Sequence, residues 1–207
     1  MTPWRSVIGI CAGLILCVSV GIGVFYSGAT AAAPSAKAYF AGGCFWCMEE
    51  AFEKVDGVLS AVSGYMDGTL ANPTYEQVSA GGTGHAESVE VTYDPAKVSY
   101  ERLLDAFWRN VDPLTPNAQF CDHGSQYRAA IFPSNPDEQK LAEASKKRLE
   151  ESKRLHGSIV TQIVAATTFY PAEEYHQDFY KKNPVRYKFY KFNCGRTQRL
   201  EEVWGKP

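Results

Sequence analysis

Ala38-Tyr39-Phe40-Ala41-Gly42-Gly43-Cys44-Phe45-Trp46-Cys47-Met48 decides how this chain folds, because it passes from a strand signal to a helix signal across two glycines. Ala38 to Ala41 reads as a short buried strand. From Cys44 onward, Cys47, Met48, Ala51, Phe52 and Val55 recur at helical spacing, so one stripe of the helix faces a core. Gly42 and Gly43 let the chain turn sharply and bring backbone close to whatever binds there, and Gly57 is expected to end the helix. Cys44 therefore opens a helix. Unpaired backbone N–H groups and the helix dipole at that end favour a thiolate over a thiol, and the thiolate is the nucleophile. Phe45 and Trp46 add an apolar wall beside this sulfur. Cys47 lies on the buried stripe, where a small packing residue would fit as well as a redox partner.

Working outward, Val58 to Tyr65 reads as extended, and Asn72-Pro73-Thr74-Tyr75 is a turn that leads into a short helical piece through Val78. Ala86 to Tyr93 alternates, with Glu87, Val89, Val91 and Tyr93 on one face and Ser88, Glu90 and Thr92 on the other. Ser99 caps a helix whose stripe is Leu103, Leu104, Phe107 and Trp108, and Asn135-Pro136 starts another that runs to about Arg154. Tyr127 to Phe132 and Ile159 to Val164 are strand-like. The order β-α-β-β-α-β-α-β predicts an α+β fold, a two-layer sandwich with a mixed sheet and helices mainly on one face, related to ferredoxin-like folds. From Thr168 onward the chain is rich in Tyr, Phe, Pro, Asn and Gly, which predicts a long irregular C-terminal segment.

The 207 residues hold one domain with a sizeable core, and no internal stretch has the composition of a linker. Lys and Arg total 21 against 23 Asp and Glu, and a net charge of −2 gives no long-range reason to bind nucleic acid or an anionic membrane. Val7 to Tyr26 is an apolar run without a charge, preceded by Arg5 and followed by small residues from Ser27 to Ala33. It reads as a secretory signal or, since the run is long enough to span a bilayer, as a membrane anchor. Residues 1–36 are assigned to that segment and 37–207 to the folded domain, which is expected to be extracytoplasmic, in the periplasm. Cys11 and Cys17 lie inside the run and are set aside. Cys44, Cys47, Cys121 and Cys194 remain, an even number in a compartment that permits disulfides. Two structural bridges are one reading. A domain of this size needs no staples, which favours redox chemistry.

Glu87 shares the apolar face of its strand. A carboxyl desolvated there has a raised pKa and stays protonated near neutrality, as a general acid must. Other constellations are weaker. Cys44-x-x-Cys47 after a strand resembles a thioredoxin-like motif, but the proline that such a fold needs before a facing strand is missing, since Pro73 precedes a helical turn. Cys44, Cys47, Cys121 and His123 could supply zinc ligands, yet Cys121-x-His123 is too tight for a usual ligand pair. Glu173-x-x-His176 is half of a di-iron motif without its other half, so His176 is expected to pack or hydrogen-bond among tyrosines. The aromatic and basic residues from Lys181 to Arg199 could mimic a single-strand nucleic-acid surface, against which the near-neutral total charge argues. Gly195 after Cys194 points to a flexible, reachable thiol.

Read together, Gly43-Cys44-Phe45-Trp46, Asn72-Pro73-Thr74-Tyr75, Gly84-His85-Ala86-Glu87, Asp122 with Gly124-Ser125-Gln126-Tyr127-Arg128, and Tyr175-His176-Gln177 through Lys182-Asn183-Pro184 closely resemble the A-type peptide methionine sulfoxide reductases. The resemblance runs from about Lys37 to the C-terminus. It implies that Cys44 attacks the sulfur of a methionine S-sulfoxide, free or in a protein, while Glu87 protonates the oxygen. Tyr75 and Tyr127 match phenol donors, Phe45 and Trp46 a cradle for the S-methyl group, and Asp122 and His176 polar positions near the pocket. It implies a sulfenic acid on Cys44, a disulfide with a second thiol, and reduction by an external dithiol such as thioredoxin. It implies no metal or organic cofactor, and a monomer. The second thiol in this family commonly comes from a C-terminal segment, here Cys194. Cys47 stands where glycine often follows the aromatic pair, so Cys47, Cys194 and Cys121 all remain candidates for the resolving step.

Overall fold

Strand β1 (Ala36–Gly42) runs through the middle of a sheet and turns directly into helix α1 (Phe45–Glu53), in a computed structural model that describes Met1 and residues 34–206. There follow β2 (Val58–Met66), α2 (Tyr75–Ser79), β3 (Ala86–Tyr93) and α3 (Tyr100–Arg109). A small hairpin of β4 (Ala118–Gln119) and β5 (Asp122–His123) leads through a 3-10 turn at Ser125–Tyr127 into β6 (Ala129–Phe132). The chain ends with α4 (Pro136–Glu151), β7 (Gln162–Ile163), β8 (Tyr170–Pro171), α5 (Phe179–Lys182), α6 (Pro184–Asn193) and α7 (Arg196–Trp204).

The six-stranded sheet has the order β7-β6-β1-β3-β2-β8. Every pairing is antiparallel except β6 with β7, so the sheet is mixed. β1 and β2 each run antiparallel to β3, which lies between them. That is the split β-α-β arrangement of ferredoxin-like folds, and the α+β expectation holds. Ala38 and Phe40 of β1 join Val89, Val91 and Ile131 on the face covered by α1 and α3. Phe40 stacks on Phe52 of α1 at 4.7 Å and on Phe107 of α3 at 5.5 Å. Truncating such a fully buried ring to alanine costs about 3–5 kcal/mol. The other face buries Ala41, Met66, Ala86, Ala130 and Phe132 beneath Phe169 and its neighbours.

Local chemistry sets the ends of these elements. Ser99 accepts from Arg102 N, Asn135 from Glu138 N, and Thr74 forms a capping box with Gln77. α1 stops at Glu53, before the expected Gly57, which lies in the turn that follows. Tyr127 stands in the 3-10 turn and not in a strand, and within Ile159–Val164 only Gln162 and Ile163 pair.

The larger correction is at the C-terminus, where three helices replace the predicted irregular segment. Their sequences lack a clean apolar stripe, because their contacts are aromatic and polar. Phe179 stacks on Trp46 at 3.8 Å, Tyr187 Oη donates to Glu50, and Trp204 Nε1 donates to Val111 O at 2.9 Å. Gly195, at φ +69°, makes the break between α6 and α7. Apart from Met1 and residues 34–36, the predicted N-terminal signal or anchor lies outside the described residues. No helix among the described residues is long and apolar enough to cross a membrane.

Candidate active site

The turn between β1 and α1 is built for close approach. Gly43 has φ +78°, and a Cβ there would lie 2.4 Å from Gln119 Cβ, so only glycine fits. Gln119 in turn closes the loop by accepting from Asp112 N at 2.9 Å and donating to Asp112 O at 2.7 Å. Cys44 is the N-cap residue of α1, and its carbonyl accepts from Cys47 N at 3.1 Å.

Glu87 reaches the same helix start from β3. Its Oε2 accepts the Phe45 backbone N–H at 3.0 Å, so the carboxyl takes one of the unpaired donors of the first turn. Only 3 % of Glu87 is exposed, and burial pushes its pKa up from 4.5 to about 8 against the pull of that hydrogen bond. Glu87 lies on the buried face of its strand, where desolvation favours the protonated form.

Cys44, Phe45, Trp46, Tyr75, Glu87, Asp122, Tyr127 and Tyr190 line a cavity of about 60 Å³. Tyr75 comes from the first residue of α2 and Tyr127 from the 3-10 turn. Burial pushes Tyr75 up to about 12 and Tyr127 higher still, so both phenols keep their protons and can donate. Glu173 holds Tyr75 in place by accepting its backbone N–H at 2.8 Å and the Tyr65 hydroxyl at 2.9 Å. Arg128 donates to Asp67 at 2.9 Å and to Gly84 O at 3.0 Å, tying the Tyr127 turn to the strand that carries Glu87.

His176 stands behind the cavity wall. Trp46 Nε1 donates to its Nδ1 at 3.1 Å, and its ring lies 4.4 Å from Tyr75, 4.2 Å from Tyr175 and 4.9 Å from Phe45. Burial lowers its pKa, so it is a neutral acceptor that orients the indole. His176 thus packs among tyrosines and accepts from an indole, but it does not line the cavity, whereas the resemblance implied a polar position near the pocket.

The cysteines depart from expectation in two ways. Cys121 and Cys194 are joined in a disulfide, so Cys194 is no free, reachable thiol, and the zinc set already judged too tight loses Cys121 as well. Cys44 and Cys47 are both free and buried. Burial pushes the Cys44 thiol well above its ordinary value, with Cys47 and Glu87 adding to the rise. The expected stabilisation of a Cys44 thiolate by the helix terminus is outweighed by this desolvation. Cys47 is the one drawn down, to about 6, first by the adjacent Cys44 thiol and then by Arg196, Tyr187 and Lys191, against its own burial.

Tyr190 is the site residue that sequence reasoning missed. It lies edge-on to Trp46, 5.8 Å between centroids, donates to Asp122, and its Oη is 4.0 Å from Cys194 Sγ. Its only signal was the recurrence of tyrosine at Tyr187 and Tyr190, at helical spacing in a segment predicted to be irregular. Burial raises the Asp122 carboxyl above its ordinary value, against the pull of its hydrogen bond from Tyr190 and of Arg196.

The family model described as peptide methionine sulfoxide reductase matches residues 36–207. A peptide methionine sulfoxide reductase MsrA of Halalkalibacterium halodurans is 51% identical over 170 residues, which is 82% of this chain and 97% of that protein. Among solved structures, reduced Mxr1 of Saccharomyces cerevisiae superposes with a TM-score of 0.69 at 32% identity, covering 74% of this chain and 88% of that one. Methionine sulfoxide reductase A of Corynebacterium diphtheriae gives 0.64 at 32% identity, covering 73% and 76%. The chain belongs to the peptide methionine sulfoxide reductase family.

Proposed function

We propose that this chain reduces methionine S-sulfoxide, free or within proteins, to methionine, with a dithiol of the thioredoxin type as the final reductant. The observation that carries the reading is the convergence of a buried protonated carboxyl and two protonated phenols on one thiol, across a cavity of about 60 Å³. A sulfoxide oxygen is a poor leaving group until it is protonated. Glu87, held at about 8, has the proton to give at neutral pH. Tyr75 and Tyr127 donate to the oxygen as negative charge grows on it. Phe45 and Trp46 hold the S-methyl group.

Cys44 Sγ forms a bond to the sulfoxide sulfur after its proton passes to the neighbouring Cys47 thiolate. The oxygen takes the proton of Glu87 and passes to Cys44, and the sulfur–sulfur bond breaks with its electron pair on methionine. Cys44 is left as a sulfenic acid. Cys47 then attacks Cys44 Sγ, water leaves, and a Cys44–Cys47 disulfide remains for the external dithiol. Cys47 is preferred for this step because it lies one turn away and is drawn toward thiolate, whereas Cys194 is tied to Cys121. Mxr1 is also known in complex with Trx2, which supports a thioredoxin-like reductant. Thioredoxin-like exchange by Cys44-x-x-Cys47 alone is not favoured, since it leaves Glu87 and both tyrosines without a task.

Residues 1–36 are assigned the role of an export signal or anchor, and 37–207 that of the catalytic domain, on the charge-free run from Val7 to Tyr26. The test of the catalytic reading is a single turnover of reduced protein without reductant. The expected products are one methionine per chain and a disulfide that peptide mapping places between Cys44 and Cys47. A linkage from Cys44 to any other cysteine would overturn the assignment of Cys47, and unchanged sulfoxide would overturn the reaction.

A further inference from the structure

A second cavity, of about 640 Å³, lies between the end of α3 and α7 and shares no lining residue with the sulfoxide pocket. Its wall carries Arg109, Arg154, Lys191, Arg196 and Lys206, over an apolar floor that includes Trp204. Of the five cations, only Lys191 has a carboxylate partner among the described residues, Glu50. Glu201 is the single acid on the wall, and it makes no ion pair with any of them among the described residues.

The cations are held in place. Arg109 lies over the Trp204 ring at 5.3 Å, and Arg154 donates to Trp204 O. Arg196 is the most constrained, only 3 % exposed, with its Nη2 donating to Asn110 O at 2.6 Å and its guanidinium 4.4 Å from the Phe120 ring. A buried guanidinium without a carboxylate is costly unless some other negative charge faces it. Several fixed cations around one concave, partly apolar space create a field that concentrates anions, and a volume of this size accommodates a small organic molecule.

We propose that this cavity is an anion-binding site, which takes a small molecule bearing several phosphate or carboxylate oxygens and, through Arg196 and Lys191, slows the recycling of Cys47. Arg196 Nη2 also lies 3.2 Å from Met48 Sδ, the residue after Cys47 on α1, and Lys191 is on the same wall. Arg196 thus lines the cavity and also touches the residue after Cys47, and Lys191 shares its wall. An anion that neutralises them removes positive field from Cys47, which then attacks the Cys44 sulfenic acid as a thiolate less often. The binding part stands on the cavity alone. The recycling part rests on the assignment of Cys47 as the resolving thiol.

The test titrates inorganic pyrophosphate and, separately, citrate into the reduced full chain without substrate, following the Trp204 indole N–H by NMR. Saturable binding of one or both is expected, and the tighter probe identifies phosphate or carboxylate chemistry. Arg154→Gln and Arg109→Gln should each weaken it about three- to tenfold. No binding at millimolar probe, or binding that neither substitution weakens, overturns the site. With a dithiol protein as reductant, the bound anion should lower multiple turnover and leave the single-turnover yield of methionine unchanged. Binding with unaltered multiple turnover overturns the link to Cys47. Failure of single turnover in anion-free buffer would count against the proposed reaction and not against the site.

Discussion

Replacing Glu87 with glutamine should make the protein more stable and a poorer catalyst at once. The side chain keeps its shape, and the amide oxygen can still accept the Phe45 N–H now bonded at 3.0 Å. What it loses is the titration. The Glu87 carboxyl is held at about 8 in the fold against an ordinary 4.5, so between those values the native chain keeps a proton that the unfolded chain has released. Native binding of the extra proton makes stability fall as pH rises through this window, and the loss is absent below about 4.5. At 1.36 kcal/mol per pH unit, the penalty reaches about 3 kcal/mol at pH 7. Glu87→Gln removes it, so the variant should equal the parent near pH 4.5 and exceed it by about 2–3 kcal/mol at pH 7, or about 5–10 °C in Tm for a chain of this size. Denaturant unfolding of both proteins at several pH values measures this. Glu49, also raised by burial, to about 7, contributes in the same direction to both and cancels. Methionine formation should fall about 10²-fold or more with the acid gone. An identical pH dependence of stability in the two proteins would refute the buried, protonated carboxyl on which the mechanism depends.

Further outcomes follow from the cysteines and the pocket wall. Cys44→Ser should abolish reduction, whereas Cys47→Ser should retain one turnover and lose most multiple turnover; full cycling by a Cys47→Ser, Cys194→Ser double variant would reject resolution by either. Thiolate absorbance should rise with a midpoint near 6 and vanish in Cys47→Ser, and a midpoint that instead follows Cys44 would reverse the assignment of charge in the pair. Tyr75→Phe and Tyr127→Phe should each slow single turnover by about tenfold or more with little change in substrate binding, since each removes a donor to the oxygen. Trp46→Leu should act chiefly on KM, through the lost methyl contact and the lost stack on Phe179; an unchanged KM would remove Trp46 from the substrate wall.

Much of the site could be read before the fold was known, because its residues lie at the ends of elements with strong local signals. Period-two alternation put Glu87 on the buried face of β3, and helical spacing after two glycines put Cys44 at the start of α1. The ferredoxin-like core was legible for the same reason. What escaped was everything that depends on long-range partners. Phe179, Tyr187 and Tyr190 form helices through contacts with Trp46, Glu50 and Asp122, residues far away in sequence. The Cys121–Cys194 bridge spans a separation of 73 residues, which spacing alone cannot assign. The ionisation of Cys44 was misjudged because a helix terminus is a local feature, while the burial that overrides it is made by β3, α5 and α6 closing over the thiol.

The most direct measurement of the central claim is an epimer-resolved assay. Reduced protein with a dithiol reductant is given an equal mixture of methionine S-sulfoxide and R-sulfoxide, and both are followed by chiral chromatography. Loss of the S epimer alone, dependent on Cys44 and slowed by Glu87→Gln, is the predicted result. Equal loss of both epimers, or loss of neither while the protein still exchanges disulfides, would contradict it.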